Sequence, residues 1–419
     1  MTSNILNAAR VGYDDGVARV RASIVWLIFA SSFIVVFEPA PTDIVALIAL
    51  TFLFLPGVKV SPGVTPLLLL FTLFMVGYFS SFYANTPDDP GTLFLLSSGY
   101  ILLTAFFIAC FISEDTDHRF AIIKSGYYFG AAIAAVIALA AYLDPRGFGL
   151  ILIKMGASGL IYNGRATGAF KDPNVFSTYI VFPTVMLFQR IMLGQSKRSL
   201  FDFFWLGVLF LSLFLAFSRG AWVNLAMSII LVITLTIMTT TSPNMRGRIF
   251  FYSFVSIIGF ALILAVLLSI PEIQKIFADR FALVKSYDSG ETGRFGNQLN
   301  AIPMLLYRPF GFGPYRFDTY FSQASHNAFL NAFSAGGWLG GIIYFTLVCS
   351  NIFIGIKTVF TRSPFQNSAI LVFSCLIAVT FQGVQIDTEH WRHYYWMIGM
   401  MWGLFAAMVH YVPKNQKQT

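Results

Sequence analysis

Four short stretches gather chemistry-bearing side chains in a chain that otherwise has few. GRATGAFKDPN (164–174) carries Arg165, Lys171, Asp172 and Asn174, and FSRGAW (217–222) carries Arg219. GRFGN (293–297) carries Arg294, and SHNAFLNAFSAGGWLGG (325–341) opens on His326-Asn327. Guanidinium forks match the oxygens of anions, and an imidazole titrates close enough to neutrality to act as a general base. Together the four stretches hold the groups needed to bind an anionic ligand and to take a proton.

Each stretch also has a plainer account. Capping of a helix start explains Asp172, Pro173 and Asn174, but not Arg165 and Lys171. Arg219 either snorkels toward lipid phosphates or points into the bundle, where Ser218 and Gly220 permit close helix approach. Arg294, taken as a solvated loop arginine, needs no explanation, and His326 can serve as a cap or a headgroup partner. After His326, Gly336, Gly337, Gly340 and Gly341 form overlapping small-xxx-small pairs, so this helix can pack tightly and hold the histidine in place. DTEHWRH (387–393) has acids and histidines, but at no standard metal spacing. With Trp391, Tyr394, Tyr395 and Trp396 it fits an interfacial aromatic belt. There is no phosphate-binding glycine loop and no dinucleotide fingerprint.

The elements that must position these groups are membrane helices. The 419 residues are 57% hydrophobic and only 11% charged, against about 25% charged in soluble domains. The chain is therefore an all-α polytopic membrane protein. The net charge of +8 sits in loops, so it does not imply nucleic acid. Twelve apolar windows predict helices near 23–37, 43–56, 65–83, 92–112, 120–143, 174–193, 201–217, 220–240, 249–270, 326–350, 368–386 and 394–412. The expected organisation is a polar tail (1–22), nine spans (23–270), a large loop (271–325), three spans (326–412) and a short tail (413–419). The N-terminal run lacks a clear cleavage site and is expected to stay as the first helix. Cys110, Cys349 and Cys375 suggest neither disulfides nor a metal site.

Lys and Arg in the short loops favour both termini in the cytoplasm. Against that bias, the outer side still collects Arg146, Lys154, Arg165, Lys171, Arg219, Lys275, Arg280, Lys285, Arg294, Arg308, Arg316 and Arg392. An anionic ligand at that face accounts for them. Translocation of a long loop regardless of charge accounts for the 271–325 cations but not for Arg219, which lies in a short turn. Within the loop, Ile273, Ile276, Phe277, Val284 and Tyr287 share one helical face, as for a helix on the membrane boundary. The remainder is expected to form a helix-and-loop lid.

RATGAFKDPN before a span, SRGAW at a turn, GRFGNQ…PFGFG in the late loop and SHNAFLNAFSAGGWLGG after it resemble the O-antigen ligase and O-antigen polymerase superfamily. The resemblance covers roughly residues 90–410, and the His326-Asn327, Gly337, Gly340 spacing is ligase-like. It implies a GT-C-like, periplasm-facing glycosyltransferase in the bacterial inner membrane that needs no metal or other cofactor. Its donor would be a glycan on undecaprenyl diphosphate. The acceptor would be lipid A–core in a ligase or a growing glycan in a polymerase. Matching positions are Arg219, Arg294 and His326 as catalytic groups, with Arg165, Lys171, Asn174, Asn327 and Arg316 as substrate-binding groups. From another class, a transporter would place charges along a midplane path and show two similar halves, whereas here the charges crowd one face. A scaffold protein predicts no convergence of Arg219, Arg294 and His326.

Overall fold

The computed structural model describes residues 2–36, 40–54, 59–85, 87–154, 164–196, 198–281, 290 and 292–411. Among them the chain is helical, with no strand. The first half comprises α1 (Thr2–Ala30), α2 (Pro41–Phe54), α3 (Thr65–Ala84), α4 (Asp89–Glu114), α5 (Thr116–Leu143), the short α6 (Phe148–Lys154), α7 (Pro173–Met192) and α8 (Ser199–Leu215). There follow α9 (Arg219–Thr239), α10 (Pro243–Leu268), α11 (Pro271–Phe281), α12 (Arg294–Leu306), α13 (Phe317–Tyr320), α14 (Ala328–Phe360), α15 (Gln366–Gln382) and α16 (Arg392–His410). Each of the twelve apolar windows falls on one of these helices. Seven of them (α3, α4, α5, α7, α9, α10 and α14) are long and apolar enough to cross a membrane, and shorter apolar helices occupy 41–51, 199–215 and 366–382.

Apolar content alone does not say which helices line the core. The most apolar window of α10 is only 17% buried, whereas that of α7 is 83% buried. α10 turns mostly apolar side chains outward, with Ser253 and Ser256 among its few buried residues, while α7 carries Thr178, Tyr179 and Gln189 into the interior.

Four helices begin at one end of the bundle with side-chain caps. Asp88 accepts from Gly91 N (2.8 Å) to start α4, and Asp172 accepts from Asn174 N (2.5 Å) to start α7. Ser218 accepts from Ala221 N (3.4 Å) to start α9, and Asn327 accepts from Leu330 N (3.0 Å) to start α14. Each satisfies a donor that the first helical turn leaves unpaired.

The glycines after His326 do two different jobs. A Cβ on Gly77 of α3 would lie 2.6 Å from Gly340 N, so these two helices meet backbone to backbone. Gly337 instead breaks α14, with φ +65° and ψ −164°, a conformation essentially confined to glycine. A Cβ there would collide with Pro309 O and Phe310 Cα.

Several expectations need correction. The polar segment before residue 23 is continuous with the first apolar window as α1, and the chain leaves the helix at Ala30, after which Val35 N donates to Ala169 O (3.0 Å). The apolar face of α11 packs on the bundle, with Phe277 5.5 Å from the Trp222 ring and 5.9 Å from that of Phe214. Val284, Lys285, Tyr287 and the tail 413–419 lie outside the described residues. The 387–396 stretch is no interfacial belt: Thr388, Glu389, His393, Tyr394, Tyr395 and Trp396 are all buried inside the protein.

Candidate active site at the mouth of α14

Asp387, in the turn between α15 and α16, organises the entry to α14. Its carboxylate accepts from Ser325 Oγ (2.7 Å), His326 N (3.1 Å) and Asn327 N (2.8 Å). Three donors converging on one acid fix the backbone of a histidine held at φ +47°, a region that a non-glycine residue enters only at some cost. Asn327 reinforces the join, since its Nδ2 donates to Val384 O (3.2 Å) while its Oδ1 caps α14. Ala328 N then donates to Gly383 O (2.7 Å). His326 is half-buried at this junction.

The same turn receives the other two candidates. Arg294, at the start of α12, reaches Gln385 O with Nη1 at 3.5 Å. Arg219 is the first residue of α9, and next to it Gly220 lies so close to Gln382 that a Cβ would be 3.0 Å from Nε2. Gln382 is the buried hub of this contact: its Oε1 accepts from Asn224 Nδ2 (2.7 Å) and Thr178 Oγ1 (3.2 Å). Buried amides paired in this way fix the register of α7, α9 and α15. Phe217, two residues before Arg219, also has φ +47°. Residues 382–387 are thus the common platform for the segments that carry Arg219, Arg294 and His326.

The remaining candidates have separate duties. Arg165 is buried; its Nε donates to Ala216 O (2.7 Å) and its Nη2 to Asn174 Oδ1 (2.8 Å). Arg165 and Asn174 therefore lock the start of α7 onto the turn that precedes Arg219. Lys171 is exposed nearby in sequence. Arg316 pairs with Asp88 at 2.8 Å and ties the lid to the α3–α4 turn, and the structure does not bring it to the 382–387 platform.

The lid is clamped over α14 through the break at Gly337. Phe312 N and Gly313 N both donate to Ser334 O (2.8 and 3.1 Å), and Trp338 N donates to Pro309 O (2.9 Å). Trp338 Nε1 adds a bond to Leu305 O (2.9 Å), and Gln298 of α12 donates to Ser325 O (2.8 Å). These bonds set where α12, and with it Arg294, stands.

Two further groups lay in DTEHWRH, where sequence reasoning favoured an interfacial belt and assigned neither of them a role. Asp387 had only its place in an acidic turn to distinguish it. Glu389, two residues on, is buried and accepts from Asn331 Nδ2 on the first turn of α14. Burial, with the charge of Asp387 adding to it, raises the Glu389 carboxyl well above the usual carboxylate range. A signal was present: acids between two apolar helices are expensive to keep, and therefore rarely idle. Among the described residues no group of three or more His, Cys, Asp or Glu side chains forms a metal site.

Fold and site define a multi-pass, all-helical membrane protein with a cationic and imidazole-bearing site at one end of its bundle. Residues 204–345 match the family model described as O-Antigen ligase, a match that supports membership of the O-antigen ligase and polymerase superfamily. The match runs from α8 into α14 and includes Arg219, Arg294, Arg316, His326 and Asn327. Arg165, Lys171, Asn174 and Asp387 lie outside it. No curated protein matches the chain. The family is one of membrane glycan ligases and polymerases, which act on lipid-linked glycans.

Proposed function

We propose that the protein is a periplasm-facing glycosyltransferase of the bacterial inner membrane. It transfers a glycan from undecaprenyl diphosphate to a sugar hydroxyl of lipid A–core. In this reading twelve helices span the membrane in a GT-C-like arrangement, both termini are cytoplasmic, and residues 271–325 form the periplasmic lid.

The acceptor oxygen attacks the anomeric carbon, and the bond from that carbon to the diphosphate oxygen breaks. The electron pair leaves with the diphosphate, whose growing negative charge Arg219 and Arg294 stabilise. His326 takes the acceptor proton during attack and later releases it to water. A single displacement inverts the anomeric centre. Asp387 acts one step back, by fixing the His326 backbone, and Arg165 does the same for the turn before Arg219.

One observation carries this reading: a single six-residue turn, 382–387, contacts the segments that bear all three groups. Arg219→Ala, Arg294→Ala and His326→Ala should each cut transfer by about 100-fold or more while the protein still accumulates in membranes. Normal surface polysaccharide in all three variants refutes the assignment. Polymerisation uses the same chemistry with a different acceptor, and the lipopolysaccharide of a null strain separates the two. Rough lipopolysaccharide with accumulated lipid-linked polymer indicates ligation, and core capped by one repeat unit indicates polymerisation.

A further inference from the structure

The end of the bundle opposite His326 has a cleft of its own, of ≈ 300 Å³, which the reaction described above does not use. It lies between α5, the last turns of α7, the turn that follows and the start of α15. Because α7 begins and α15 stops at the His326 end, Arg190 and Asn367 stand at the far one.

The charged side chains on its wall, Lys124 of α5 and Arg190 of α7, are both cationic, and no carboxylate lines it among the described residues. Lys124 Nζ lies 4.9 Å from the centre of the Phe120 ring on its own helix and meets no hydrogen-bond acceptor among the described residues. Arg190 gives Nε to Asp202 (3.1 Å), but its side chain is 43% exposed and its terminal Nη groups stay open. Gln195, Asn367 and Ser368 add two amides and a hydroxyl, and these side chains too lack hydrogen-bond partners among the described residues. Lys124 and Ser368 are half-buried and the other three are exposed, so a guest in the cleft reaches them all. A third guanidinium stands just behind: a Cβ on Gly194, beside Gln195, would be 2.6 Å from Arg248 Nη1.

The chemistry narrows the guest. Two like charges facing one cleft repel each other, and an anion between them turns that repulsion into attraction. The donors come from three elements. A carboxylate offers two oxygens in one plane, whereas a phosphate offers oxygens in several directions and can meet donors on every side. The space equals about ten waters of liquid volume, room for a phosphate with an ester group attached. Tyr128 on the wall is 6.3 Å from Trp205, whose ring meets those of Phe201 and Phe204 at 6.2 and 5.6 Å. Both phenylalanines are exposed on α8, an apolar face against which acyl chains can lie. Basic pockets between membrane helices suit anionic headgroups for this reason.

We propose that this cleft binds a phosphate group between Lys124 and Arg190. A phospholipid headgroup and free phosphate share that chemistry, and the exposed α8 aromatics favour the headgroup. The site goes beyond glycan transfer and does not depend on it. Occupancy would tie α5, α7 and α15 together at one end, while α7 and α15 carry Thr178 and Gln382 toward the other.

The test uses isothermal titration calorimetry on the full-length protein, stripped of lipid in an uncharged detergent. The probes are short-chain phosphatidylglycerol, phosphatidylcholine of the same chain length, and inorganic phosphate. Phosphatidylglycerol should bind saturably, and phosphatidylcholine, whose choline cancels the charge, at least tenfold more weakly. Lys124→Gln removes one cation, and Ser368→Asp sets an acid in the cleft where the first turn of α15 accommodates it. Each should raise the Kd tenfold or more. Arg246→Gln, a cation at the same end but off the cleft, should leave it unchanged. Both cleft substitutions fall at partly exposed positions without hydrogen-bond partners, so the fold tolerates them; Arg190 is kept because Asp202 depends on it.

Binding of phosphatidylglycerol without binding of inorganic phosphate identifies a lipid as the source. Saturable inorganic phosphate that Lys124→Gln weakens identifies free phosphate. No saturable binding of either, or phosphatidylcholine binding as tightly as phosphatidylglycerol, overturns the site. So does unchanged affinity in either cleft variant, or an equal loss in Arg246→Gln, which would make the attraction one of diffuse surface charge.

Discussion

The two ends of the helix bundle use arginine differently. At the end where α4 stops and α5 begins, Arg119 pairs with Glu114 (2.6 Å) and donates to Phe111 O (2.9 Å). There too Arg246 donates twice to Thr240 O (3.1 and 3.0 Å), and Arg190 meets Asp202 (3.1 Å). These partners lie within 12 positions in sequence, so the arginines finish a helix end or join consecutive helices. At the His326 end Arg165 also meets a near partner, Asn174, but three arginines reach distant ones: Arg392 binds Asp43 and Tyr100, Arg316 binds Asp88, and Arg294 reaches Gln385. Local pairs stabilise a turn, whereas distant ones hold separate elements in register, as a site requires.

The strongest way to break this contrast is Arg392→Ala. It leaves Asp43, 6% exposed, as an uncompensated buried acid, at a cost of about 4 kcal/mol. Thermal unfolding in micelles should show the loss directly. Gly337→Ala comes next, at about 3 kcal/mol, because alanine cannot adopt that backbone conformation without strain. Its Cβ also meets Pro309 O, so transfer should suffer beyond what the lower melting temperature explains.

A pH titration gives a smaller effect. His390 titrates near 4 in the folded protein and nearer its ordinary range when unfolded. Between those values the unfolded chain binds the extra proton, so stability is kept above about pH 6.5 and lost as pH falls toward 4. Solvent at this partly exposed ring limits the loss to about 2 kcal/mol, and His390→Gln should flatten the slope. Smallest of all is Arg246→Ala at the opposite end, where the change in stability should stay within about 0.5 kcal/mol with transfer intact. An Arg246 effect as large as that of Arg392 would erase the distinction between the two ends.

Parts of this site were legible in the sequence because they are local. Capping of α7 from the Asp172–Asn174 stretch, which Asp172 performs, and the close approach enabled by Gly340 follow from residue type and helical spacing. Other parts were read wrongly for want of three dimensions. Trp391, Tyr394, Tyr395 and Trp396 have the composition of an interfacial belt, yet the pairing of Arg392 with Asp43 and Tyr100 draws the start of α16 into the core. Arg316 has the same charge as Arg219, but Asp88, 228 positions away, claims it.

The sequence by itself determined where apolar helices form, where they are capped, and which rare cations and histidine a chain so poor in charge retains. Those features depend on neighbouring residues and on transfer from water to lipid. Only the tertiary structure decided that Asp387 secures His326, that Glu389 meets Asn331, and that one turn serves three distant segments. Such contacts arise from helix packing and loop closure, and no local pattern specifies which distant partners those will join.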